Sequence, residues 1–101
     1  IVNVSSDAAV EAYPRWGAYG LSKAALDHLT RSFAAELAGT GVRFLAIDPG
    51  EMDTQMHRDA IPDADPSTLA DPVIVAGAIL ARVDDQAGFP GGSRVVIGWV
   101  S

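Results

Sequence analysis

The feature that most constrains the fold is the alternation of short apolar runs with longer segments of helical periodicity. Apolar runs at residues 1–5, 42–47 and 94–100 are separated by helical patterns over residues 17–38 and 71–83. Mostly apolar strands joined by helices are typical of a parallel sheet that is covered on both faces. The order strand, helix, strand, helix, strand therefore predicts the α/β class, with a three-stranded parallel sheet flanked by helices.

The two predicted helices carry end signals as well as periodicity. The apolar positions of the first helix recur at spacings of three and four: Leu26, Leu29, Phe33 and Leu37. This spacing is typical of an amphipathic helix, and Gly39 follows as a C-terminal cap. Asp71 is placed as the N-cap of the second helix, with Pro72 at its first position.

Composition and charge exclude several classes of function. The chain has 101 residues, of which 49% are hydrophobic and 20% charged, as expected for one small globular domain. A net charge of −6 argues against nucleic acid or an anionic membrane surface as a partner. Cysteine is absent, which excludes disulfides and thiol chemistry and agrees with a cytoplasmic location. The two histidines lie too far apart for metal-ligand spacing, so we expect no metal site. No apolar run approaches the roughly 18 residues of a membrane span, so we expect none.

Residues 19–23, which read Tyr-Gly-Leu-Ser-Lys, carry the clearest chemical signal. Tyr19 and Lys23 are four residues apart and share one face of the predicted helix. An ammonium group so placed lowers the pKa of a phenol, which can then exchange a proton with a carbonyl or alcohol oxygen. The hydroxyl of Ser6, thirteen residues before Tyr19, is placed at a strand end where it could hold that oxygen.

The segment of residues 48–70 is too long for a simple connector. It contains three prolines and five aspartates, and we expect an irregular lid or binding loop. The alternative is a surface insertion without a role. For His57 a solvated loop position is favoured over contact with a substrate. For Trp16, before the long helix, lining the substrate entrance is favoured over a role that only holds the loop.

Three motifs in order give the sequence a family resemblance. Residues 3–6 read Asn-Val-Ser-Ser, residues 19–23 contain Tyr-x-x-x-Lys, and residues 49–54 read Pro-Gly-Glu-Met-Asp-Thr. With these motifs the chain resembles the C-terminal half of the short-chain dehydrogenase/reductase family, and the resemblance covers nearly the whole chain. In that family the catalytic serine lies thirteen residues before the tyrosine, a spacing that selects Ser6 rather than Ser5.

The resemblance implies a role for each matching residue. Tyr19 would be the general acid/base, and Lys23 would lower its pKa and bind the nicotinamide ribose. Ser6 would hydrogen-bond the substrate oxygen. The residues that would approach the nicotinamide carboxamide and phosphates are Pro49, Gly50, Met52 and Thr54. The implied function is an oxidoreductase that interconverts a small-molecule alcohol and a carbonyl with NAD or NADP.

The resemblance also implies what adjoins the chain. The family's glycine-rich cofactor turn does not occur in the sequence, so we expect a missing N-terminal half, with the 101-residue chain alone inactive and unable to bind the nicotinamide cofactor. We further expect an unpaired edge on the first strand, a left-handed crossover into the last strand, and a homo-oligomer formed through the long helix. The alternative is a non-catalytic remnant that acts as an association module through that helix.

Overall fold

A computed structural model describes residues 1–98; the end of the predicted third strand, residues 99 and 100, lies outside them. Within these residues three strands form one parallel sheet in chain order: Val2–Val4 (β1), Leu45–Asp48 (β2) and Arg94–Val96 (β3). The α-helices of this region are Gly17–Glu36 (α1), Gln55–Ala60 (α2) and Pro72–Asp84 (α3). The predicted α/β class with a Rossmann-type parallel sheet is confirmed.

The strand boundaries differ from the prediction because pairing sets them. The second strand, predicted at residues 42–47, begins at Leu45, which lies opposite Val2, while Ala46 lies opposite Arg94. Residues 42–44 therefore have no partner in either of the two flanking strands. The first strand, predicted at residues 1–5, ends at Val4, although the Ser5 amide still donates to the Ile47 carbonyl at 2.8 Å. The order of the described strands makes β1 an edge strand, as expected.

The two main helices occupy opposite faces of the sheet, as the resemblance implied. On one face Leu45 and Ile47 pack with Val75 of α3. On the other face the Arg94 side chain reaches α1, where its Nε donates to Asp27 Oδ2 at 2.8 Å. Both crossovers advance in the same direction across the sheet, so helices on opposite faces give them opposite hands. Asp71 caps α3 by accepting from the Val73 amide at 2.9 Å, as predicted.

The face that α1 turns towards the sheet is polar rather than apolar. Its buried residues are Asp27, 4% exposed, and Thr30, fully buried. Leu29, Phe33 and Leu37 of the predicted apolar stripe remain between 36% and 40% exposed. The long helix is thus confirmed, two residues shorter than predicted, but its apolar stripe is not the surface that is most deeply buried.

The long segment after β2 is more regular than predicted. It contains α2 and the 3₁₀ turn Pro66–Thr68, because Thr54 Oγ1 accepts from the His57 amide at 3.2 Å and Asp65 Oδ1 from the Ser67 amide at 3.0 Å. Its ends are hydrogen-bonded together: the Asp53 amide donates to the Ala70 carbonyl, and the Ala70 amide to the Glu51 carbonyl, each at 3.0 Å. We call residues 51–70 the flap.

Candidate active site

A cavity of about 670 Å³ lies at the carboxyl ends of the strands, between the start of α1 and the flap. In open parallel sheets this edge is where ligands bind, and the volume suits a small molecule. Every residue that the sequence nominated lines this one cavity: Ser6, Tyr19, Lys23, Pro49, Gly50, Met52 and Thr54. Residues from β1, α1, the turn after β2 and the flap are therefore brought together.

The first turns of α1 hold the tyrosine and lysine near the end of β1. Lys23 Nζ donates to the Val4 carbonyl at 2.9 Å and lies 5.6 Å from the centre of the Tyr19 ring. The Trp16 ring meets the Tyr19 ring edge-on, with 5.6 Å between centroids and 76° between planes. The strand end and the indole thus fix the ammonium and the phenol on one side of the cavity.

The two serines at the end of β1 differ in their surroundings. Ser6 Oγ accepts from the Ala8 amide at 3.2 Å, which caps the 3₁₀ turn Asp7–Ala9, and its hydrogen points to Asp7 Oδ1 at 3.3 Å. Ser5 is 3% exposed, and its Oγ has no hydrogen-bond partner within residues 1–98. Both serines line the cavity. The hydroxyl of Ser6 makes hydrogen bonds to its sequence neighbours, whereas that of Ser5 makes none within residues 1–98.

The turn after β2 contributes Asp48, Pro49 and Gly50 to the cavity lining. Gly50 has a φ of 75°, a left-handed value that favours glycine, and a Cβ there would lie 3.4 Å from the Ile97 carbonyl oxygen. The Gly50 amide donates to Asp48 Oδ1 at 2.9 Å. Asp48 was not nominated, although Asp-Pro-Gly is a turn-forming sequence that marks it. The closed turn keeps the Pro49 and Gly50 backbone beside the site.

The flap contributes its anchoring residues to the same cavity. Met52 pairs with Ala70 in an isolated parallel bridge and packs against the apolar core. Thr54 lines the cavity, while its Oγ1 caps α2. Both residues therefore fix where the flap starts as well as what it presents to the cavity.

The expected solvated position of His57 is wrong. Its side chain is only 13% exposed and lines the cavity, because the capped turn of α2 directs it inwards. Neither ring nitrogen is within hydrogen-bond range of a partner in the described part of the chain. Glu51 Oε2 lies 3.6 Å from His57 Nε2. No local sequence signal distinguished this position, since its burial depends on a helix that the proline-rich segment did not predict.

Two aromatic residues before α1 also border the cavity. Trp16 and Tyr13 both line it, and a role of Trp16 at a substrate entrance stays a prediction. The Tyr13 hydroxyl donates to Asp7 Oδ2 at 2.5 Å, and this hydrogen bond, with some desolvation and nearby carboxylates, raises the pKa of Tyr13 to about 12. The Tyr13 phenol therefore stays neutral at pH values above 10, where a free tyrosine loses its proton.

Among the described side chains, His, Asp and Glu form no group of three or more that could hold a metal ion. None of the helices in residues 1–98 combines the length and apolarity needed to cross a bilayer.

The fold is that of a Rossmann-type domain, and its cavity lies at the carboxyl ends of the strands. The family model described as short chain dehydrogenase matches residues 1–65, so the chain belongs to the short chain dehydrogenase family. It is 51% identical over 59 residues to the benzil reductase ((S)-benzoin forming) IRC24 of Saccharomyces cerevisiae, covering 58% of this chain and 22% of the relative. It is 34% identical over 110 aligned positions to the 2-(R)-hydroxypropyl-CoM dehydrogenase of Xanthobacter autotrophicus, covering 96% and 43%.

Solved structures agree with this assignment. A short chain dehydrogenase from Salmonella enterica serovar Typhi superposes with a TM-score of 0.84 at 29% identity, covering 94% of this chain and 39% of that one. A short chain dehydrogenase of Shigella flexneri, solved complexed with NADP, superposes at 0.82 with 28% identity and the same coverage. The alignments with these relatives and structures cover between 22% and 43% of their lengths.

Proposed function

We propose that this chain forms the catalytic part of an oxidoreductase that interconverts an alcohol and a carbonyl with NAD or NADP. The observation that carries the proposal is the convergence of Ser6, Tyr19 and Lys23, from two separate elements, on one cavity at the strand ends. The names of relatives support it: one is a benzil reductase and another a 2,3-dihydro-2,3-dihydroxybenzoate dehydrogenase of Escherichia coli.

Tyr19 is the proton donor and acceptor in this proposal. In reduction its hydroxyl gives a proton to the substrate oxygen, and in oxidation its oxygen takes that proton back. The bound nicotinamide would supply or accept the hydride at the adjacent carbon. Lys23, held by the Val4 carbonyl, places a positive charge 5.6 Å from the centre of the Tyr19 ring.

Ser6 positions the substrate oxygen. Its hydroxyl is oriented by the Ala8 amide and Asp7, and the guanidinium of Arg94 donates to its carbonyl at 2.9 Å, which fixes the backbone on either side of the hydroxyl. When substrate enters, the Ser6 hydrogen turns from Asp7 to the substrate oxygen. Holding that oxygen between Ser6 and Tyr19 keeps it within reach of the proton donor.

The residues present fit a nicotinamide nucleotide. Lys23 and Tyr19 offer an ammonium and a hydroxyl for ribose hydroxyls, and Gly50 leaves the backbone bare where a larger residue would crowd the Ile97 carbonyl. We assign Lys23 and Tyr19 to the ribose, and Pro49, Gly50, Met52 and Thr54 to the carboxamide and phosphates. The glycine-rich turn that would hold the pyrophosphate is assigned to a further segment of the whole protein. We propose that the whole protein is cytoplasmic.

The test is a pair of tyrosine variants in the whole protein. Tyr19→Phe should lower kcat for NAD(P)H-dependent reduction of benzil by about 10²-fold or more, because the proton donor is lost. Tyr13→Phe removes the hydroxyl of the other tyrosine in the sequence and should leave most of the rate. Turnover that persists in Tyr19→Phe would contradict the proposal.

A second function, association through α1, is favoured by the exposed apolar residues on that helix. Leu29, Phe33 and Leu37 are between 36% and 40% exposed, and Leu21 is 73% exposed. We propose that this surface joins two copies of the protein. Phe33→Glu should shift the mass measured by light scattering towards the monomer, whereas Tyr19→Phe should leave it unchanged. An unchanged mass in Phe33→Glu would remove this second proposal.

A further inference from the structure

Arg94 on β3 joins three separate segments through one guanidinium group. Its Nε donates to Asp27 Oδ2 on α1 at 2.8 Å, and its Nη2 donates to the Ser6 carbonyl after β1 at 2.9 Å. The same Nη2 lies 3.7 Å from Asp48 Oδ2, at the end of β2. Arg94 does not itself line the cavity formed by residues 1–98, so its effect on the site passes through these contacts.

The position of Asp27 on α1 makes its contact with Arg94 relevant to the proposed catalytic residues. Tyr19, Lys23 and Asp27 are spaced by four residues, so they follow one another along the same side of the helix. Lys23 and Asp27 are about 6 Å apart along the helix axis, close to one turn. A movement of α1 that displaced Tyr19 relative to the sheet would therefore also break the bond between Asp27 and Arg94.

Stability alone does not explain a charged pair between α1 and the sheet. The side chains of Asp27 and Arg94 are 6% and 22% exposed, so both charges have lost most of their hydration. The cost of that loss largely cancels the attraction between the charges, and packed apolar side chains of similar volume often stabilise a fold as well or better. Apolar side chains do not fix a direction, whereas the planar guanidinium donates along fixed lines. The pair is thus suited to holding Asp27 and Ser6 in one relative position.

We propose that Arg94 is a positioning residue that sets the separation of the Ser6 and Tyr19 hydroxyls. Its bond to the Ser6 carbonyl orients the residue that holds the substrate oxygen, and its bond to Asp27 places the helix that carries the proton donor. Both hydroxyls have to reach one oxygen, and a misplacement of about 1 Å costs up to about 10²-fold in rate. The inference rests on the proposed function for the roles of Ser6 and Tyr19.

Two variants of the whole protein remove the link while preserving the fold. The double variant Arg94→Met with Asp27→Leu removes both charges together, so that no buried carboxylate is left without its partner. Arg94→Lys keeps a positive charge beside Asp27, but its single nitrogen replaces the planar fork and does not reproduce both bonds. Urea denaturation measures how much stability each variant retains.

Arg43→Met is the matched control at the opposite end of the sheet. Arg43 precedes β2, at the amino ends of the strands, and its guanidinium also donates to two backbone carbonyls, those of Val83 and Phe89. Its hydrogen bonds thus resemble those that Arg94 makes but lie away from the cavity. Arg43→Met should lower stability without lowering kcat.

The first measurement is the rate of NAD(P)H-dependent reduction of benzil. The double variant should lower kcat and kcat/KM together by about 10- to 100-fold, and Arg94→Lys should lower both by less. Ser6→Ala lowers kcat as well. When Ser6→Ala is added to the double variant, the combined loss should fall short of the product of the separate losses by about 5-fold or more, because Arg94 acts through Ser6. A role in stability alone would give losses that multiply.

The second measurement needs neither turnover nor cofactor. The Ala8 amide donates to Ser6 Oγ at 3.2 Å, so its hydrogen exchange measured by NMR reports on the orientation of Ser6. The reference is the Leu45 amide, which donates to the Ile1 carbonyl at 2.9 Å between β1 and β2. In the double variant the Ala8 rate should rise about 10-fold relative to the Leu45 rate, as expected for local opening. Arg43→Met should leave the ratio of the two rates unchanged.

Each outcome decides one of the two proposals. Losses that multiply, a double variant with full kcat, an equal loss of kcat in Arg43→Met, or an unchanged ratio of the Ala8 and Leu45 rates would overturn the inference. A wild type that reduces no ketone, in a protein whose Ala8 rate responds as expected, would overturn the proposed function alone.

Discussion

The two faces of the sheet are stabilised by different interactions. Towards α3 the contacts are apolar: Leu45, Ile47 and Val95 pack with Val75 and Ile97 in one buried cluster. Towards α1 the interior is polar. There Arg94 bridges Asp27 and the Ser6 carbonyl, and Asn3 Nδ2 donates to Thr30 Oγ1 at 3.0 Å.

The difference follows the division of labour that we propose. The α3 face lies away from the proposed catalytic residues and needs only close packing, which apolar side chains provide without directional demands. The α1 face holds the helix that carries Tyr19 and Lys23, and hydrogen bonds fix both distance and orientation. A polar interior therefore suits the face that holds the proposed catalytic helix in one position.

The largest effect is expected from a cavity in the apolar face. Ile47 is fully buried in the cluster beneath α3, so Ile47→Ala should lower the free energy of unfolding by about 3–5 kcal/mol. Urea denaturation measures the loss. Leu80→Ala on α3, where the side chain is 63% exposed, should change stability by less than about 0.5 kcal/mol. Similar losses for both would show that the face is not closely packed.

Breaking the ion pair of the polar face should cost somewhat less. Arg94→Met leaves Asp27 buried without its partner and should destabilise by about 2–4 kcal/mol, since the arginine is itself 22% exposed. Adding Asp27→Leu should recover part of that loss, because the stranded charge is removed. A double variant less stable than Arg94→Met would mean that the pair does not account for the effect.

The close approach of the Ala8 backbone to α1 gives a smaller effect on stability, in which replacing a helical glycine by alanine is destabilising. A Cβ at Gly20 would lie 2.8 Å from the Ala8 carbonyl oxygen, so Gly20→Ala should destabilise by about 1–2 kcal/mol despite the better helix propensity of alanine. Gly77 in α3 has nothing within 4 Å of its Cβ position, and Gly77→Ala should stabilise by about 0.5–1 kcal/mol. The same sign for both changes would refute the contact.

The smallest expected effect is a pH dependence of stability that comes from the titration of Tyr13. The pKa of Tyr13 is raised to about 12, chiefly by its hydrogen bond to Asp7, so this contact stabilises the fold fully below pH 10 and is lost as the pH rises through 12. The ¹³Cζ resonance of labelled tyrosine should show Tyr13 still neutral at pH 11. Asp7→Asn should move its titration back towards 10. A wild-type midpoint near 10 would contradict the hydrogen bond.

The order of the three strands and the two long helices could be predicted from sequence because each of these five elements depends on local patterns. Asp71 and Pro72 predicted the start of α3 correctly, and the apolar runs located all three strands to within a few residues. The orientation of α1 could not be predicted in this way. Its buried Asp27 is stabilised by Arg94, 67 residues away, and periodicity does not register such a partner.

The candidate site likewise has one part that could be predicted from sequence and another that could not. The seven residues nominated from the motifs have fixed spacings along the chain, and all seven line the cavity. His57 was assigned to solvent because the sequence of the flap, with its prolines and aspartates, gave no indication of α2. The Thr54 hydroxyl accepts from the His57 amide at the start of α2, and the direction of the His57 side chain appears only in three dimensions.

The paired ends of the flap have a consequence for how the protein can diversify. Residues 51 and 53 are hydrogen-bonded to residue 70, so the chain leaves and rejoins the domain at one place. Insertions or exchanges between those points change neither the strand register nor the position of α1, and each doubling of loop length costs only about 0.6 kcal/mol. The flap is thus an exchangeable segment: residues 55–68 of a relative, grafted between the same anchors, should alter which molecule is accepted and leave the proposed chemistry as it was.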